Sequence, residues 1–200
     1  MKKKIFLELI SWIKGKCLDI WCWNWWVGKK IMKCNHDISC YGIDRNSKLN
    51  KERYKYVREW DLIDMDKIII NKKEEFDLII WFHIMEHIPL QNMKKILDNI
   101  FSLLKKWGVV FIETPHPVTK YIPKFLGFNF WTDPTHVKPY TPNQLEKLFH
   151  QKWFKTLYKS FDQAHFVELW ESTHTLNFLK KFLYKLWVMR WVSVYAGQKK

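Results

Sequence analysis

The fold of this chain is decided by one short stretch, Lys16-Cys17-Leu18-Asp19-Ile20-Trp21-Cys22-Trp23-Asn24-Trp25. Its first half, residues 16–20, is an apolar run of the length that is typical of a buried parallel strand. Its second half places tryptophan at alternate positions, where such a strand is commonly followed by a glycine-rich turn that binds a nucleotide. The stretch predicts a nucleotide-binding strand and turn if the tryptophans stand at glycine positions.

The balance of tryptophan and glycine in the whole chain supports this interpretation. The 200 residues include 13 tryptophans and only 6 glycines, whereas average usage predicts about 14 glycines. We therefore hypothesise that the gene comes from a lineage that reads UGA as glycine, and that the codon was translated as tryptophan. The alternative is that the residues are genuine, which gives an aromatic loop after the first strand.

With glycine at the tryptophan positions, residues 18–25 read Leu-Asp-Ile-Gly-Cys-Gly-Asn-Gly. This resembles the first motif of class I S-adenosylmethionine-dependent methyltransferases, in particular those with a type 11/23-like domain, and the resemblance covers roughly residues 14–160. Lys106-Trp107-Gly108 and Lys152-Trp153-Phe154 then resemble turns of the same family, and Trp131 matches an aromatic position in relatives. The resemblance implies a methyltransferase with S-adenosylmethionine as its cofactor. Glycine suits the loop because an indole there would occupy the volume of the cofactor.

Strands and helices alternate along the chain, which predicts a doubly wound, largely parallel α/β sheet with its ligand at the carboxyl ends of the strands. We expect one domain over residues 1–200, with a cofactor-binding half at 14–113 and an acceptor side at 114–200. The resemblance implies a Rossmann-like sheet of seven strands, helices on both faces and an antiparallel last strand. The predicted strands are 16–20, 39–44, 55–60, 76–80, 109–113, 154–161 and 192–196. The predicted helices are 3–13, 27–34, 47–54, 91–105, 142–151 and 175–187.

The resemblance also assigns the residues that bind the cofactor. Asp19 and the backbone at Trp21 and Trp23 would hold its methionine portion. Asp44 ends the second strand, where a carboxylate can accept hydrogen bonds from both ribose hydroxyls; the alternative is that it forms a turn. Asp61 and Leu62 would meet the adenine edge, and Asp64 or Asp66 could serve in place of Asp61.

Methyl transfer from a sulfonium depends mainly on position and electrostatics, so we expect no metal. His83 and His87 follow the fourth strand and are candidate bases. Residues 113–117 and 130–137 resemble segments of methyltransferases found with bacterial surface-polysaccharide synthesis. His136, in the second segment, is our preferred base for a hydroxyl proton. For each histidine the alternative is a structural role in its loop.

These features predict a cytoplasmic O-methyltransferase that acts on a small molecule or a glycan end. A net charge of +14 keeps an RNA or protein methyltransferase open as the rival, although the lysines are spread along the whole chain. If the tryptophans are genuine, the chain is instead a basic, aromatic binding module.

The four cysteines are expected to be buried free thiols. Residues 178–185 would either cover the sheet or attach to a membrane surface, and no apolar run is long enough to span a membrane.

Overall fold

The computed structural model describes residues 5–20, 26–44, 56–59, 74–126, 129–162 and 192–200. The strands are β1 (Gly15–Ile20), β2 (Ile38–Asp44), β3 (Tyr56–Glu59), β4 (Phe76–Phe82), β5 (Leu104–Pro115), β6 (Phe154–Asp162) and β7 (Val192–Lys199). The helices are α1 (Ile5–Trp12), α2 (Trp26–Cys34), α3 (Leu90–Leu103) and α4 (Pro142–His150). The predicted helices at 47–54 and 175–187 lie outside the described residues, as does the whole segment 178–185.

The strands form one sheet in the order β3-β2-β1-β4-β5-β7-β6. Neighbours from β3 to β5 run parallel, whereas β7 is antiparallel to both β5 and β6. The chain therefore winds outward from β1 in both directions, and the carboxyl ends of β1, β2, β4 and β5 meet at one edge. The predicted Rossmann-like fold class, with its antiparallel last strand, is confirmed.

Two apolar cores lie on opposite faces of the sheet because successive strand residues point to opposite sides. On one face, Ile79 and Trp81 of β4 pack with buried residues of α3 and α4. On the other face, Leu78 and Ile80 pack with buried residues of α1 and α2. The central strand β4 is apolar on both sides for this reason, which is why its sequence shows no alternation.

The connection from α3 to β5 differs from the prediction. The helix ends at Leu103 rather than at residue 105, and β5 begins at Leu104 rather than after a separate turn. The register jumps from Phe76↔Leu104 to Leu78↔Val109, so residues 105–108 bulge out of the strand. The predicted turn is present as this bulge, which a sequence pattern cannot distinguish from a turn between elements.

Trp107 in the bulge and Trp153 before β6 adopt φ angles of 68° and 63°. Non-glycine residues seldom adopt this left-handed conformation because Cβ crowds the backbone. Both indoles are exposed, so their packing does not explain the conformation. The backbone at both positions is the one that glycine favours, in agreement with the hypothesis of recoded tryptophans, which remains a hypothesis.

The segment between β5 and α4 is a long loop. Its described part contains three short 3-10 helices: Pro117–Tyr121, Lys124–Leu126 and Phe130–Thr132. It ends at Thr141, whose hydroxyl accepts from the backbone N–H of Gln144 while the Gln144 side chain accepts from the Thr141 N–H. This capping box starts α4 at a defined residue. The loop thus connects two fixed points and lies over the carboxyl edge of the sheet.

The cysteines only partly match their prediction. Cys17 and Cys40 are buried free thiols, and burial raises the pKa of Cys17 well above its usual value. Cys34 is also a free thiol but is exposed at the end of α2, so the expectation of burial is wrong there. Cys22 lies outside the described residues. No helix within the described ranges is long and apolar enough to cross a membrane.

Candidate active site at the carboxyl edge of the sheet

Two buried carboxylates lie at the carboxyl edge of the sheet, where β1 and β2 end. Asp19 lies one residue before the end of β1 and is 3% exposed, and Asp44 ends β2 and is 5% exposed. The parallel pairing Asp19↔Gly42 and Ile20↔Ile43 brings the two strand ends together. An ionised carboxylate accepts hydrogen bonds and donates none, so these two side chains suit a ligand with hydroxyl and ammonium groups.

The other predicted cofactor residues, Trp21, Trp23, Asp61 and Leu62, lie outside the described residues. The same holds for Asp64 and Asp66, the alternatives to Asp61.

His83 directly follows β4 and is turned toward two buried carboxylates. Its Nε2 lies 3.1 Å from Oε1 of Glu113, and its Nδ1 lies 3.5 Å from Oε1 of Glu86. Burial opposes a charge on the ring, but the contacts with Glu113 and Glu86 outweigh it and raise the pKa of His83 to about 10. A φ of 53° places His83 in the left-handed region, and its N–H donates to the Glu113 carbonyl at 2.8 Å. The strained backbone and both ring nitrogens thus hold the imidazolium between the two acids.

Glu86 connects the strands to the long loop. It lies in a 3-10 turn and is 1% exposed. The Thr114 hydroxyl donates to its Oε2 at 2.9 Å, and its backbone carbonyl accepts from the N–H groups of Val137 and Lys138 at 2.7 and 3.2 Å. Glu86 therefore fixes the position of the loop that carries His136.

The rings of His136 and His87 are in contact, with centroids 4.6 Å apart and planes inclined at 56° to each other. Nδ1 of His136 contacts the carbonyl oxygen of Phe130, and the ring stacks on the Phe130 side chain at 4.5 Å. A carbonyl can only accept, so Nδ1 of His136 carries the proton, and in the neutral ring the lone pair is on Nε2. The Asp133 carboxylate lies 3.9 Å from that Nε2.

The tautomer of His87 follows from the same reasoning. Its Nδ1 lies 2.8 Å from Oγ1 of Thr135, and that hydroxyl donates its proton to Asp133 at 2.6 Å. The hydroxyl must therefore accept from His87, so Nδ1 is again the protonated nitrogen. Burial lowers the pKa of His87, which favours its neutral form.

Aromatic and basic side chains border the histidine pair. Asn129 fixes the loop: its amide donates to the carbonyls of Lys120 and Ile122, and its side-chain oxygen accepts from the Trp131 N–H. Trp131 is 44% exposed, and the Lys120 ammonium lies 5.1 Å from the centre of its ring. The result is an open aromatic surface with a cation beside it.

Tyr140 is buried at the base of the loop, and its hydroxyl has no hydrogen-bond partner among the described residues. Burial raises its pKa to about 12, and the charge of Glu86 acts in the same direction. The Tyr140 hydroxyl is therefore a neutral donor near Glu86.

Of the predicted bases, the structure brings His87 and His136 into ring contact and connects His83 to them through Glu86. The sequence prediction missed the roles of Glu113, Thr135 and the Phe130 carbonyl. Glu113 could have been found, because an acid that directly follows the apolar run 109–112 within a strand is unusual. The backbone carbonyl could not, because its role depends on loop geometry alone.

Comparisons with known proteins give a consistent result. The sequence model of a protein family described as a methyltransferase domain matches residues 27–159. Among solved structures, the chain is similar to an S-adenosylmethionine-dependent methyltransferase from Archaeoglobus fulgidus, with a TM-score of 0.66 and 19% identity over 98% of this chain and 90% of that one. It is also similar to a protein of the same description from Methanosarcina mazei, with a TM-score of 0.59 and 14% identity over 100% and 99%. A third is the N-methyltransferase NodS from Bradyrhizobium japonicum, with a TM-score of 0.56 and 12% identity over 98% and 93%. No curated protein matches the sequence.

Proposed function

The chain belongs to the methyltransferase domain family, and from this premise we propose that it is a cytoplasmic enzyme that methylates a hydroxyl group of a small molecule or a glycan end, with S-adenosylmethionine as the methyl donor. The observation that carries the choice of a hydroxyl is the pair His87 and His136, in ring contact at the carboxyl edge of the sheet. An alcohol must lose its proton as it is methylated, and a neutral imidazole is the common acceptor of such a proton.

The cofactor would bind where β1 and β2 end. S-adenosylmethionine supplies a methyl group on a positively charged sulfur atom. Asp19 would accept hydrogen bonds at its methionine end and Asp44 at the ribose. The backbone at Trp21 and Trp23, together with Asp61 and Leu62, would complete the site. Buried carboxylates fit a cationic ligand because the low-dielectric surroundings strengthen their attraction.

His136 is the proposed base. Its Nδ1 donates to Phe130, so its Nε2 is the nitrogen that accepts a proton. S-adenosylmethionine would supply the methyl group to the acceptor oxygen, with loss of its carbon–sulfur bond, and the hydroxyl proton would move to this Nε2. Stacking on Phe130 holds the ring in place, which reduces the reorganisation needed at the transition state.

The other two histidines are weaker candidates for the base. His87 lies against His136 and is the second candidate, since its burial favours the neutral ring. His83 is the third, because both of its nitrogens face carboxylates and it has no acceptor nitrogen to offer a substrate. We propose that His83 instead holds Glu86 and Glu113 in position.

The acceptor would lie on Trp131 beside Lys120. An exposed indole offers a flat apolar face on which a sugar ring stacks, and the adjacent ammonium attracts an anionic substituent. The fold similarity to an N-methyltransferase keeps an amine acceptor as the rival. An amine would not need a strong base at neutral pH if it bound unprotonated, so the two-histidine arrangement favours the alcohol.

The test is methyl transfer from methyl-labelled S-adenosylmethionine to a panel of sugars, nucleotide sugars, small alcohols, amines, RNA and protein. The protein should carry glycine at Trp21, Trp23 and Trp25, and mass spectrometry should identify the methylated atom. A methyl ether on a small molecule or sugar is the expected product. Transfer confined to RNA, to protein or to amines would refute the proposed acceptor class.

A further inference from the structure

Three side chains at the mouth of the site form a set that suits a metal ion. One potential ligand atom from each of Glu86, His87 and His136 lies within 4.8 Å of the others. We propose that these residues bind a divalent transition ion of the zinc class, and that the bound ion inhibits methyl transfer. The inhibition rests on the proposed function, whereas the binding site stands independently of it. From the sequence we expect no metal, because methyl transfer from a sulfonium depends mainly on position and electrostatics; the approach of His136 to Glu86 is a feature of the structure.

The residues have the hydrogen bonds that usually support metal ligands. A histidine that binds a metal commonly donates its other ring N–H to a carbonyl or another oxygen. His136 donates from Nδ1 to the Phe130 carbonyl, and His87 donates from Nδ1 to Thr135. Both rings therefore carry the lone pair on Nε2, which is the nitrogen that would bind the ion. Thr114 similarly orients the Glu86 carboxylate.

The charge of the site favours a cation. Glu86 and Glu113 are both buried and both face His83. Even when His83 carries a proton, the three groups together have a net negative charge. A divalent ion bound to Glu86 would offset that charge at a place where solvent screening is weak.

The ligand types and their spacing are those of an open zinc site. Two imidazoles and one carboxylate with a fourth position left for water is a common zinc arrangement. Zinc bonds of about 2.0–2.1 Å place tetrahedral ligands about 3.4 Å apart, so atoms that lie within 4.8 Å of one another must approach by at most about 1.4 Å. Small side-chain rotations of His87 and Glu86 would supply that movement.

A bound ion would block the proposed chemistry directly. The Nε2 lone pair of His136 would form the bond to the metal and could no longer accept the proton of the acceptor. Turnover should therefore fall with zinc occupancy and return when a chelator removes the ion.

The experiment is titration of metal-free protein, without a histidine tag, with Zn²⁺ in competition with a chromophoric chelator, and with Co²⁺ monitored by absorption. We expect one ion per chain. His87→Ala should weaken zinc binding by at least about 100-fold. Thr135→Val removes no ligand but removes the hydrogen bonds of the Thr135 hydroxyl with His87 and Asp133, and it should weaken zinc binding by about 10- to 100-fold. His150→Ala is the matched control. His150 is an exposed histidine that forms a hydrogen bond with Thr156 away from the site, so its replacement should leave the zinc affinity unchanged.

The outcomes separate the metal site from the proposed function. Unchanged zinc affinity in both His87→Ala and Thr135→Val, or a cobalt spectrum with thiolate charge-transfer bands, would overturn the metal site. Because Thr135 is exposed, its variant keeps the test valid if His87→Ala does not fold. Binding with the expected variant pattern in a protein that methylates no alcohol would leave the site established and refute the proposed function. Methyl transfer that zinc does not inhibit, despite binding at this site, would refute the inhibition.

Discussion

His136 donates a hydrogen bond from Nδ1 to the backbone carbonyl of Phe130 and stacks on the ring of the same residue. One residue thus fixes both the tautomer and the orientation of the imidazole. The carbonyl comes from a short 3-10 helix, Phe130–Thr132, that Asn129 caps. The chemistry of the site consequently depends on the conformation of the loop as much as on the identity of the histidine.

The role of His136 as the base can be separated from a role in holding the loop. His136→Ala should lower single-turnover methyl transfer at saturating acceptor by about 10²- to 10⁴-fold while leaving cofactor affinity nearly unchanged, because a base acts on the transition state. Trp131→Ala is the comparison, and it should mainly raise the acceptor concentration needed for half-maximal rate. If His136→Ala reproduced only that binding defect, His136 would hold the loop and His87 would become the leading base.

The proposed ribose contact of Asp44 can be measured without knowledge of the acceptor. In a protein with glycine at Trp21, Trp23 and Trp25, Asp44→Ala should weaken S-adenosylmethionine binding by about 1–3 kcal/mol in calorimetry, the amount expected for lost hydrogen bonds to a charged group. The matched control is Asp37→Ala, which removes an exposed carboxylate paired with Lys14 on the surface. Equal affinity in both variants would remove Asp44 from the cofactor site.

His83 is predicted to stabilise the fold by its position between two buried acids. His83→Ala leaves Glu86 and Glu113 facing each other without the cation. We expect the free energy of unfolding, measured with urea, to fall by roughly 2–3 kcal/mol. This is less than the cost of breaking a fully buried ion pair, because the His83 side chain is about one third exposed. Adding Glu113→Gln should recover part of that loss. A loss that Glu113→Gln deepens would show that packing, not charge, is the cause.

Much of the fold follows from local sequence patterns. The strand at 76–80 and the strand end at Asp44 could be predicted from periodicity and residue type alone, since strands buried on both faces must be apolar throughout. The bulge at residues 105–108 could not be predicted, because it depends on the register between β4 and β5. Local pattern contains no information about such pairings.

The candidate site was predictable as a set of residue types but not as an arrangement. The histidines were evident from the sequence, yet His83, a candidate base, has both of its ring nitrogens turned toward acids. The pairing of His87 with His136 joins residues that are far apart in the chain. A long loop determines that contact, and loop paths depend on tertiary contacts such as those from the Glu86 carbonyl to Val137 and Lys138.

The recoding hypothesis makes a prediction about the gene. Trp21, Trp23, Trp25, Trp107 and Trp153 should be encoded by TGA, and Trp131 by TGG. The physical reason is that the first three stand in the predicted cofactor turn, while Trp107 and Trp153 have the backbone conformation that glycine favours. Sequencing the gene is the measurement, and TGG at all six positions would refute the hypothesis.

The same hypothesis predicts an unusual effect of substitution on stability. Trp107→Gly and Trp153→Gly should each raise the free energy of unfolding by roughly 1 kcal/mol. Relief of the left-handed conformation gains about 1–2 kcal/mol, and the greater freedom of glycine in the unfolded chain offsets part of that gain. Little packing is lost, because the two indoles are 59% and 74% exposed. Urea denaturation of each variant against the parent protein is the measurement.

Trp131→Gly is the matched control for that experiment. Trp131 is also partly exposed, at 44%, but it is not among the described residues with positive φ. Its replacement relieves no strain, removes the contact with Lys120 and adds freedom to the unfolded chain, so it should lower stability by about 0.5–1 kcal/mol. Opposite signs at Trp107 and Trp131 are therefore expected. Destabilisation at all three positions would mean that the indoles at 107 and 153 contribute to the native fold, and it would count against glycine as their natural residue.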